Sequence, residues 1–570
     1  MVDGEYKPGL EEQALDADAI VPAERAAPAT PPHLAALGVT LTLAACGGGG
    51  GSTPAPAPAP APGPPPPALP SRPQAARFLS QAAMGASRAN IDAVAAQGYE
   101  AWLDAQFAMP RAISHWDWLV QAGYNVVANR DGESGFDPVM WRQLISSADQ
   151  LRQRVGMALL DFLVVGIGGV DISWRQFAVA AYVDILWDNA FGNYRNLLQA
   201  ISTNAAMGTY LTFLGNRKAN AATGVVPDEN YARELMQLFT LGLQRLNADG
   251  SLQGGVATDT YTQDDITGLA RVFTGWNLAN NNNDTPDRMR LAMVSNAGQH
   301  ENGAKTFLGT TIPAGTAGPA SLTAALDTIF AHPNLPPFVA RQLIKRLVTS
   351  NPSAAYVGRI SAVFANNGSG VRGDLRAVVR AILLDSEART DPGTSTSFGK
   401  LREPVMRLTG WARAFNANSP SGAWAIGDTS SSATRLSQSP GRSPSVFNFF
   451  RPGYTPPNTA IANANLVAPE FQITNEPSVI AYVNYMSALL VNGAGDFRAD
   501  YADMVALAGN SQSLIDEVDI LLGARLSASA KTSIIAAIDA IPTTATNASL
   551  NRTYTAILLT LACPDFLVQK

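Results

Sequence analysis

The fold of this chain is decided by two stretches, DENYARELMQLFTLGL at residues 228–243 and YTQDDITGLARVFTGW at residues 261–276. In both, apolar residues recur every three or four positions, which is the spacing of a helix with one buried face. A loop rich in Gly, Asp and Asn separates them. Thr262 followed by Asp265 is typical of a capping box at the start of a helix. We therefore predict two amphipathic helices packed on a common core.

The helical pattern continues on both sides of these stretches, over residues 72–570, and strand signals are scarce. We predict a mainly α fold, that is, a multi-helix globular domain with long irregular loops and little or no sheet. Two similar apolar segments, AILLDSEAR at 381–389 and AILLTLACPDF at 556–566, favour a division into halves near 72–390 and 391–570.

Composition excludes several functional classes. The 570-residue chain has a net charge of −6 and a pI near 5.4. This balance, without a Lys/Arg block, argues against a nucleic-acid-binding protein dominated by phosphate contacts. The only cysteines are Cys46 and Cys563, which excludes a disulfide framework and a Cys-rich zinc site. None of the four histidines is spaced as a metal pair: His33, His115, His300 and His332. The sequence predicts no metal site and no cofactor, and it contains no P-loop, G-x-S-x-G or G-x-G-x-x-G motif.

Residues 1–46 have the features of a lipoprotein-type leader. The apolar run LAALGVTLTLAAC, at residues 34–46, is too short to span a membrane and ends in Leu-Ala-Ala-Cys, which resembles the lipobox of bacterial lipoproteins. We predict lipidation of Cys46, in preference to the start of a buried apolar helix. The segment before His33 is acidic where a signal should be basic, so either the true start lies downstream of Met1, which we favour, or the signal is not functional.

Residues 47–71 form a Gly-rich and then Pro-rich segment, which predicts a disordered tether. Its Pro-rich part favours polyproline II and spans on the order of 50 Å at ~3.1 Å per residue. We therefore predict a protein of the cell envelope, either an outer-membrane lipoprotein or a periplasmic protein. Gly47 favours the outer membrane, because it stands where an aspartate would favour retention in the inner membrane.

Glu234 is the charged residue with the least usual position. On a helical wheel it lies between Leu238 and Leu241, at the edge of the apolar face, so its carboxylate should be partly buried. A buried carboxylate is either paired or has a raised pKa. We favour a structural Glu–Arg pair between helices; the functional interpretation is a catalytic carboxylate, with Arg233 as a neighbouring binding residue.

Other candidates lie on the second helix and after it. Asp264 and Arg271 share the polar face of that helix, where they form either a solvated surface or part of a binding site. Trp276 is a packing anchor that we also include among the binding residues. His300 and Lys305 lie in the loop HENGAK and are catalytic candidates, because a histidine beside a glutamate suits acid–base chemistry; the alternative is a surface histidine.

Seven segments together resemble the bacterial family called domain of unknown function 1800, in the expected order and over most of residues 72–570. The segments are NYARELMQLFTLGL, YTQDDITGLARVFTGW, HENGAKTFLG, the helix before LVTSNPS, GVRGDLRAVVRAILLDSEAR, GKLREPVMRLTGWARAF and SPSVFNFFRPGY. The resemblance implies an exported bacterial protein. It also implies a partner from the exported family called domain of unknown function 1501, whose genes often neighbour those of this family. No reaction comes with the resemblance.

The chain departs from the family pattern at three places. His300 is followed by Glu301 where the family commonly has His-Asp, and Gln237 replaces a second helix carboxylate. The latter weakens any paired-carboxylate mechanism that uses Glu234. The family's closing Ser-Pro-Glu-Phe is Cys-Pro-Asp-Phe here, so Cys563 is expected to be a small core residue and not a nucleophile.

Two hypotheses for function follow, and the sequence leaves open whether the protein is an enzyme. The first is a lipid-anchored envelope protein that binds a partner protein or an envelope polymer. It is motivated by the tether and by the aromatic loop at residues 447–454, which lies within the longer loop at residues 416–472. The alternative is an envelope hydrolase with a pocket formed by Glu234, His300 and Lys305, in which Arg233 and Arg271 bind an anion.

Overall fold

The computed structural model describes residues 68–570, so the predicted leader, Cys46 and most of the tether lie outside the described residues. Within this range the chain forms twenty-four α-helices and three two-stranded antiparallel sheets. The prediction of a mainly α fold with little sheet is confirmed. Among the same residues, no helix combines the length and the apolar character needed to cross a membrane.

The helices in the first part of the domain are short and follow one another closely. They are α1 (Arg72–Ala82), α2 (Arg88–Gln97), α3 (Tyr99–Ala108), α4 (His115–Gln121), α5 (Phe136–Ser146), α6 (Gln150–Leu160), α7 (Arg175–Asp188), α8 (Tyr194–Ile201), α9 (Ala205–Tyr210), α10 (Asn230–Glu234) and α11 (Gln263–Ala270).

Thirteen helices complete the described chain. They are α12 (Gly318–Ala331), α13 (Leu335–Leu347), α14 (Ala354–Ala365), α15 (Leu375–Leu384), α16 (Ser386–Arg389), α17 (Pro404–Ala414), α18 (Ala460–Asn463), α19 (Glu476–Asn492), α20 (Ala502–Leu507), α21 (Ser511–Leu522), α22 (Ala528–Asp539), α23 (Ala548–Ala562) and α24 (Pro564–Leu567).

The strands form three short antiparallel pairs, of which β3 and β4 are a hairpin. The pairs are β1 (Trp276–Asn277) with β2 (Val294–Ser295), β3 (Lys305–Phe307) with β4 (Thr310–Ile312), and β5 (Lys400–Leu401) with β6 (Val568–Gln569). The last pair ties the chain at residue 400 to its C-terminal end.

Helix α7 lies at the centre of the first part of the domain. Its sequence RQFAVAAYVDILWD is apolar almost all round, which is typical of a helix buried on every side. It packs against α4, α6, α8 and α9. The approach of α6 depends on Gly156, because a Cβ there would lie 2.4 Å from the Trp187 ring.

The two predicted halves share one hydrophobic core. Helix α1 packs against α21, and α17 packs against both α5 and α21, so elements from before and after residue 390 are in contact. The division near residue 390 stays a prediction.

The stretch at residues 228–276 forms helices at the predicted places but with one difference. The capping box of Thr262 and Asp265 starts α11, as predicted. Helix α10, however, ends at Glu234 and continues as a π-helix over Leu235–Thr240. In this segment the Leu241 N–H donates to the Met236 carbonyl, five residues earlier, at 2.8 Å. The apolar spacing alone predicts one regular helix, because it does not specify which carbonyl each N–H selects.

Gly268 brings the β3–β4 hairpin directly onto α11. A Cβ at this position would lie 1.8 Å from the Thr306 carbonyl oxygen, so no larger residue fits. Asp265 fixes the other end of the contact, since its carboxylate accepts a hydrogen bond from the Leu308 N–H at 2.6 Å. The hairpin that carries Lys305 is therefore held against the second helix of the opening stretch.

Candidate functional site

Glu234 lies at the junction between α10 and the π-helix and is only 8% exposed. Its Oε2 atom is buried and has no hydrogen-bond partner. Burial raises the pKa of Glu234 to about 7, and Arg233 acts in the opposite direction. The predicted partial burial of this carboxylate is thus present, and the group exchanges a proton near neutral pH.

The expected Glu–Arg pair is not formed. Among the described residues no cation lies within ion-pair distance of Glu234. Arg233 instead lies 3.5 Å from Glu229 and donates to the Gln263 side chain at 3.4 Å. These contacts link α10 to α11 across the surface and leave the Glu234 carboxylate uncompensated.

Two tyrosines, Tyr210 and Tyr261, are close enough to Glu234 for its charge to act on their hydroxyl groups. We call these three residues the Glu234 site. The Tyr261 hydroxyl is buried without a hydrogen-bond partner. Burial raises the pKa of Tyr261, and the Glu234 carboxylate raises it further. Burial also raises the pKa of Tyr210, to about 12, while Ser443 lowers it and Glu234 raises it. Both phenols are therefore neutral across the physiological range.

His300 and Lys305 belong to a different group, the hairpin cluster, formed by Arg271, His300, Glu301 and Lys305. The buried His300 ring lies with Nδ1 2.9 Å from the Thr274 carbonyl oxygen, and its Nε2 atom has no hydrogen-bond partner. Burial lowers the pKa of His300, so the ring is neutral at neutral pH.

Lys305 is the buried cation of the hairpin cluster. Its Nζ atom donates to the Gly303 carbonyl at 3.3 Å, and Arg271 donates to the Ala304 carbonyl at 3.4 Å. Burial lowers the pKa of Lys305, Glu301 opposes this, and Arg271 adds to it. These contacts hold the cluster to its own hairpin and to the end of α11.

The structure thus separates the candidates predicted from the sequence. It brings together Arg271, His300 and Lys305, but none of them shares a hydrogen bond or an ion pair with Glu234. Asp264 is exposed on α11. Trp276 is buried, and its indole N–H donates to the Val272 carbonyl at 3.1 Å, so it packs inside the fold.

A third group was not found from the sequence: the charge cluster of Asp161, Lys400, Glu403 and Glu470. All four residues are buried. The Lys400 Nζ atom lies 3.1 Å from both Glu403 Oε1 and Glu470 Oε1. The spacing of Lys400 and Glu403 in GKLREP was visible in the sequence, but nothing there indicated that Asp161 and Glu470 join them.

Burial and mutual repulsion set the protonation of this cluster. Burial, and after it the charge of Glu403, raise the pKa of Asp161 to about 8, against the opposing effect of Arg346, Lys400 and Arg154. Burial is the strongest single influence on Glu403 and favours its neutral form, but Lys400, Arg154 and the hydrogen bond from Gln438 together outweigh it and hold the pKa of Glu403 below its usual range. At neutral pH Asp161 is therefore mainly protonated, whereas Glu403 is ionised and paired with Lys400.

The aromatic loop, residues 447–454, lies directly over this cluster. The Asn448 side chain donates to Asp161 Oδ1 at 2.7 Å, and Lys345 donates to the Pro452 carbonyl at 2.5 Å. The Arg451 N–H donates to the side chain of Gln472 at 2.7 Å. The aromatic side chains that this backbone carries are all partly exposed: Phe447, Phe449, Phe450 and Tyr454. The loop is therefore a fixed support for a group of accessible rings.

No metal site is evident within residues 68–570, where no group of three or more His, Cys, Asp or Glu side chains is arranged to hold an ion.

Comparison with known proteins adds one finding. A family model described as "Protein of unknown function (DUF1800)" matches residues 77–568. No curated protein and no solved structure shows a significant match.

Proposed function

Because this chain belongs to the DUF1800 family, whose description assigns no activity, we propose a function from the geometry of the loop. The protein is an exported, lipid-anchored protein of the cell envelope that binds a partner protein through the aromatic loop. The single observation that carries this proposal is the set of partly exposed rings on a loop held by the buried hydrogen bond from Asn448 to Asp161.

A fixed loop suits binding because little conformational entropy is lost when it meets a partner. Asn448 illustrates how the loop is held. It has a positive φ of 61°, and its side chain is tied to Asp161 in the interior. Replacing such an anchor would loosen the rings without removing any of them.

The chemistry of the rings favours a protein over a sugar polymer. Three of the four are phenylalanines, which bring apolar area but no hydrogen-bonding group. Aromatic side chains are enriched at the centres of protein interfaces, where they fill apolar pockets on the partner. We propose an exported protein of the family called domain of unknown function 1501 as that partner, and an envelope polymer remains the alternative occupant.

The hydrolase alternative has less support. It requires Glu234, His300 and Lys305 around one pocket, whereas Glu234 shares no hydrogen bond or ion pair with the hairpin cluster. We therefore base the proposed function on the loop.

The Phe449→Ala/Phe450→Ala double variant is expected to weaken binding of the purified partner by on the order of tenfold or more, because central aromatic residues carry much of an interface's energy. Isothermal titration calorimetry measures the effect, and circular dichroism checks that both proteins are folded.

The matched control is Val479→Ala/Ile480→Ala, an adjacent apolar pair on α19 that is 50% and 62% exposed. It should leave binding unchanged. Equal weakening by both variants, or no weakening by the loop variant, would refute the loop as the binding surface. Binding of the loop to a purified envelope polysaccharide, with no binding to the protein, would favour the polymer instead.

Lipid anchoring is the second part of the proposal and is supported by the lipobox-like sequence that ends at Cys46. We expect Cys46→Ala to abolish incorporation of radiolabelled palmitate and to release the protein from the membrane fraction. The chain supplies its own control, since Cys563→Ala removes the only other cysteine and should leave labelling intact. Palmitate labelling of the Cys46→Ala variant at the wild-type level would eliminate the anchor.

A further inference from the structure

The Glu234 site contains two buried polar groups that the protein itself leaves without partners, Glu234 Oε2 and the Tyr261 hydroxyl. Neither takes part in the binding function proposed for the aromatic loop. We propose that this site binds the ammonium group of an amine-bearing ligand, with the Glu234 carboxylate as its counter-charge.

Burying a polar group without a hydrogen-bond partner is unfavourable, and burying an unpaired charge is more unfavourable still. A structure retains such a group chiefly where it has a use, and unsatisfied buried groups call for an explanation. Glu234 lies where the backbone changes from α-helix to π-helix. Single π-helical turns occur frequently at functional sites, and this is a second observation that points to the same residue.

The charges around the carboxylate favour a cationic ligand. Arg233, the cation that acts on the Glu234 carboxylate, is engaged with Glu229 and Gln263. The neighbouring groups, Tyr210 and Tyr261, are neutral phenols. An ionised Glu234 is therefore a single uncompensated negative charge, and an ammonium ion would supply both the missing charge and the missing hydrogen-bond donors.

Tyr261 gives the ligand a second contact. Its hydroxyl oxygen accepts a hydrogen bond as well as donating one, so it serves as a neutral acceptor for another ammonium N–H. Aromatic rings also attract cations through their faces. An anionic ligand would meet the opposite situation, because the carboxylate would repel it and Arg233 is already paired.

Binding should depend on pH in a defined direction. Arg233 acts on the Glu234 carboxylate, which in turn acts on Tyr210 and Tyr261. The two phenols stay neutral between pH 5.5 and 8 because their pKa values are raised, so Glu234 is the carboxyl group of this site that titrates. Its pKa of about 7 means that the carboxylate forms as the pH rises through neutrality, and an ammonium ligand then binds more tightly.

The test uses n-butylammonium as the probe and butan-1-ol as its neutral counterpart, each titrated into the intact protein and followed by saturation-transfer NMR. We expect saturable binding of the ammonium ion, at least several-fold tighter at pH 8 than at pH 5.5, and weaker or undetectable binding of the alcohol. Glu234→Gln should weaken ammonium binding at least tenfold, and Tyr261→Phe by several-fold.

The control is Asp171→Asn, which removes a carboxylate whose side chain is 99% exposed and should leave binding unchanged. Several results would overturn the proposal: no saturable binding of butylammonium, equal binding of the alcohol, or undiminished binding by a folded Glu234→Gln protein. Loss of binding in Asp171→Asn as large as in Glu234→Gln would also overturn it, since it would indicate nonspecific attraction to surface charge.

Discussion

Replacing Lys400 with methionine is expected to lower the free energy of unfolding by about 3–5 kcal/mol, the range for removing one partner of a buried ion pair. The side chain is 2% exposed and lies 3.1 Å from both Glu403 and Glu470. Its Nζ atom also donates to the Arg346 carbonyl at 3.0 Å. The variant therefore leaves two buried carboxylates without the ion pair that each of them makes with Lys400. Urea unfolding at pH 7, followed by circular dichroism, measures the loss.

Lys531 is a close control, because it also lies between two carboxylates. Its Nζ atom is 2.8 Å from Asp516 and 2.9 Å from Asp519, but its side chain is 25% exposed. Solvent screens such a pair, so Lys531→Met should cost no more than about 1 kcal/mol. If the two variants lost similar amounts of unfolding free energy, burial would not be the reason why Lys400 stabilises the fold.

Replacing Glu234 with glutamine should have the opposite effect and raise the free energy of unfolding at pH 8 by about 3 kcal/mol. The pKa of Glu234 is about 7 in the folded protein, against a reference value of 4.5. Between about pH 4.5 and pH 7, Glu234 is therefore more protonated in the folded state than in the unfolded state. The contribution of Glu234 is therefore fully retained below about pH 4.5 and is lost as the pH rises to about 7.

The difference in unfolding free energy between the variant and the wild type reports on Glu234 alone. The contributions of other groups cancel, including that of Asp161, whose raised pKa acts in the same direction. Urea unfolding at several pH values should give a difference near zero at pH 4.5 that grows up to pH 8. The exposed Asp171→Asn change should give a difference within about 0.5 kcal/mol throughout. A Glu234→Gln protein that is less stable than wild type at pH 8 would mean that the carboxylate has a stabilising partner.

This result would also bear on function. A residue whose removal stabilises the fold is usually retained for another reason, because functional sites commonly reduce stability. If Glu234→Gln stabilises the fold and also loses ammonium binding, the carboxylate both reduces stability and binds the ligand, as we expect. Stabilisation without any loss of binding would leave the cost of Glu234 unexplained by a ligand.

Local pattern predicted much of the fold. The three- and four-residue spacing located α10 and α11, and the Thr262–Asp265 pair marked where α11 begins. The π-helix over Leu235–Thr240 could not be predicted in the same way. Whether an N–H selects the carbonyl four or five residues back is decided by packing, and the same apolar residues face the core in either case.

The candidate site was predictable only in part. The wheel position of Glu234 indicated its burial, but the absence of a pairing arginine depends on how Arg233 turns towards Glu229 and Gln263. The charge cluster joins residue 161 to residues 400 and 470, and no local pattern encodes contacts over such separations. Likewise, the sequence marked the aromatic segment, whereas the hydrogen bond from Asn448 to Asp161 that holds it required the folded structure.

Site-specific photo-crosslinking in the cell envelope tests the proposed binding function most directly. A photo-reactive amino acid placed at Phe450 probes the aromatic loop, and the same group at Ile480 probes an exposed apolar position on α19. The account predicts a discrete protein adduct from position 450, identified by mass spectrometry as an exported protein, and none from position 480. Adducts of equal yield from both positions, or none from position 450, would contradict it.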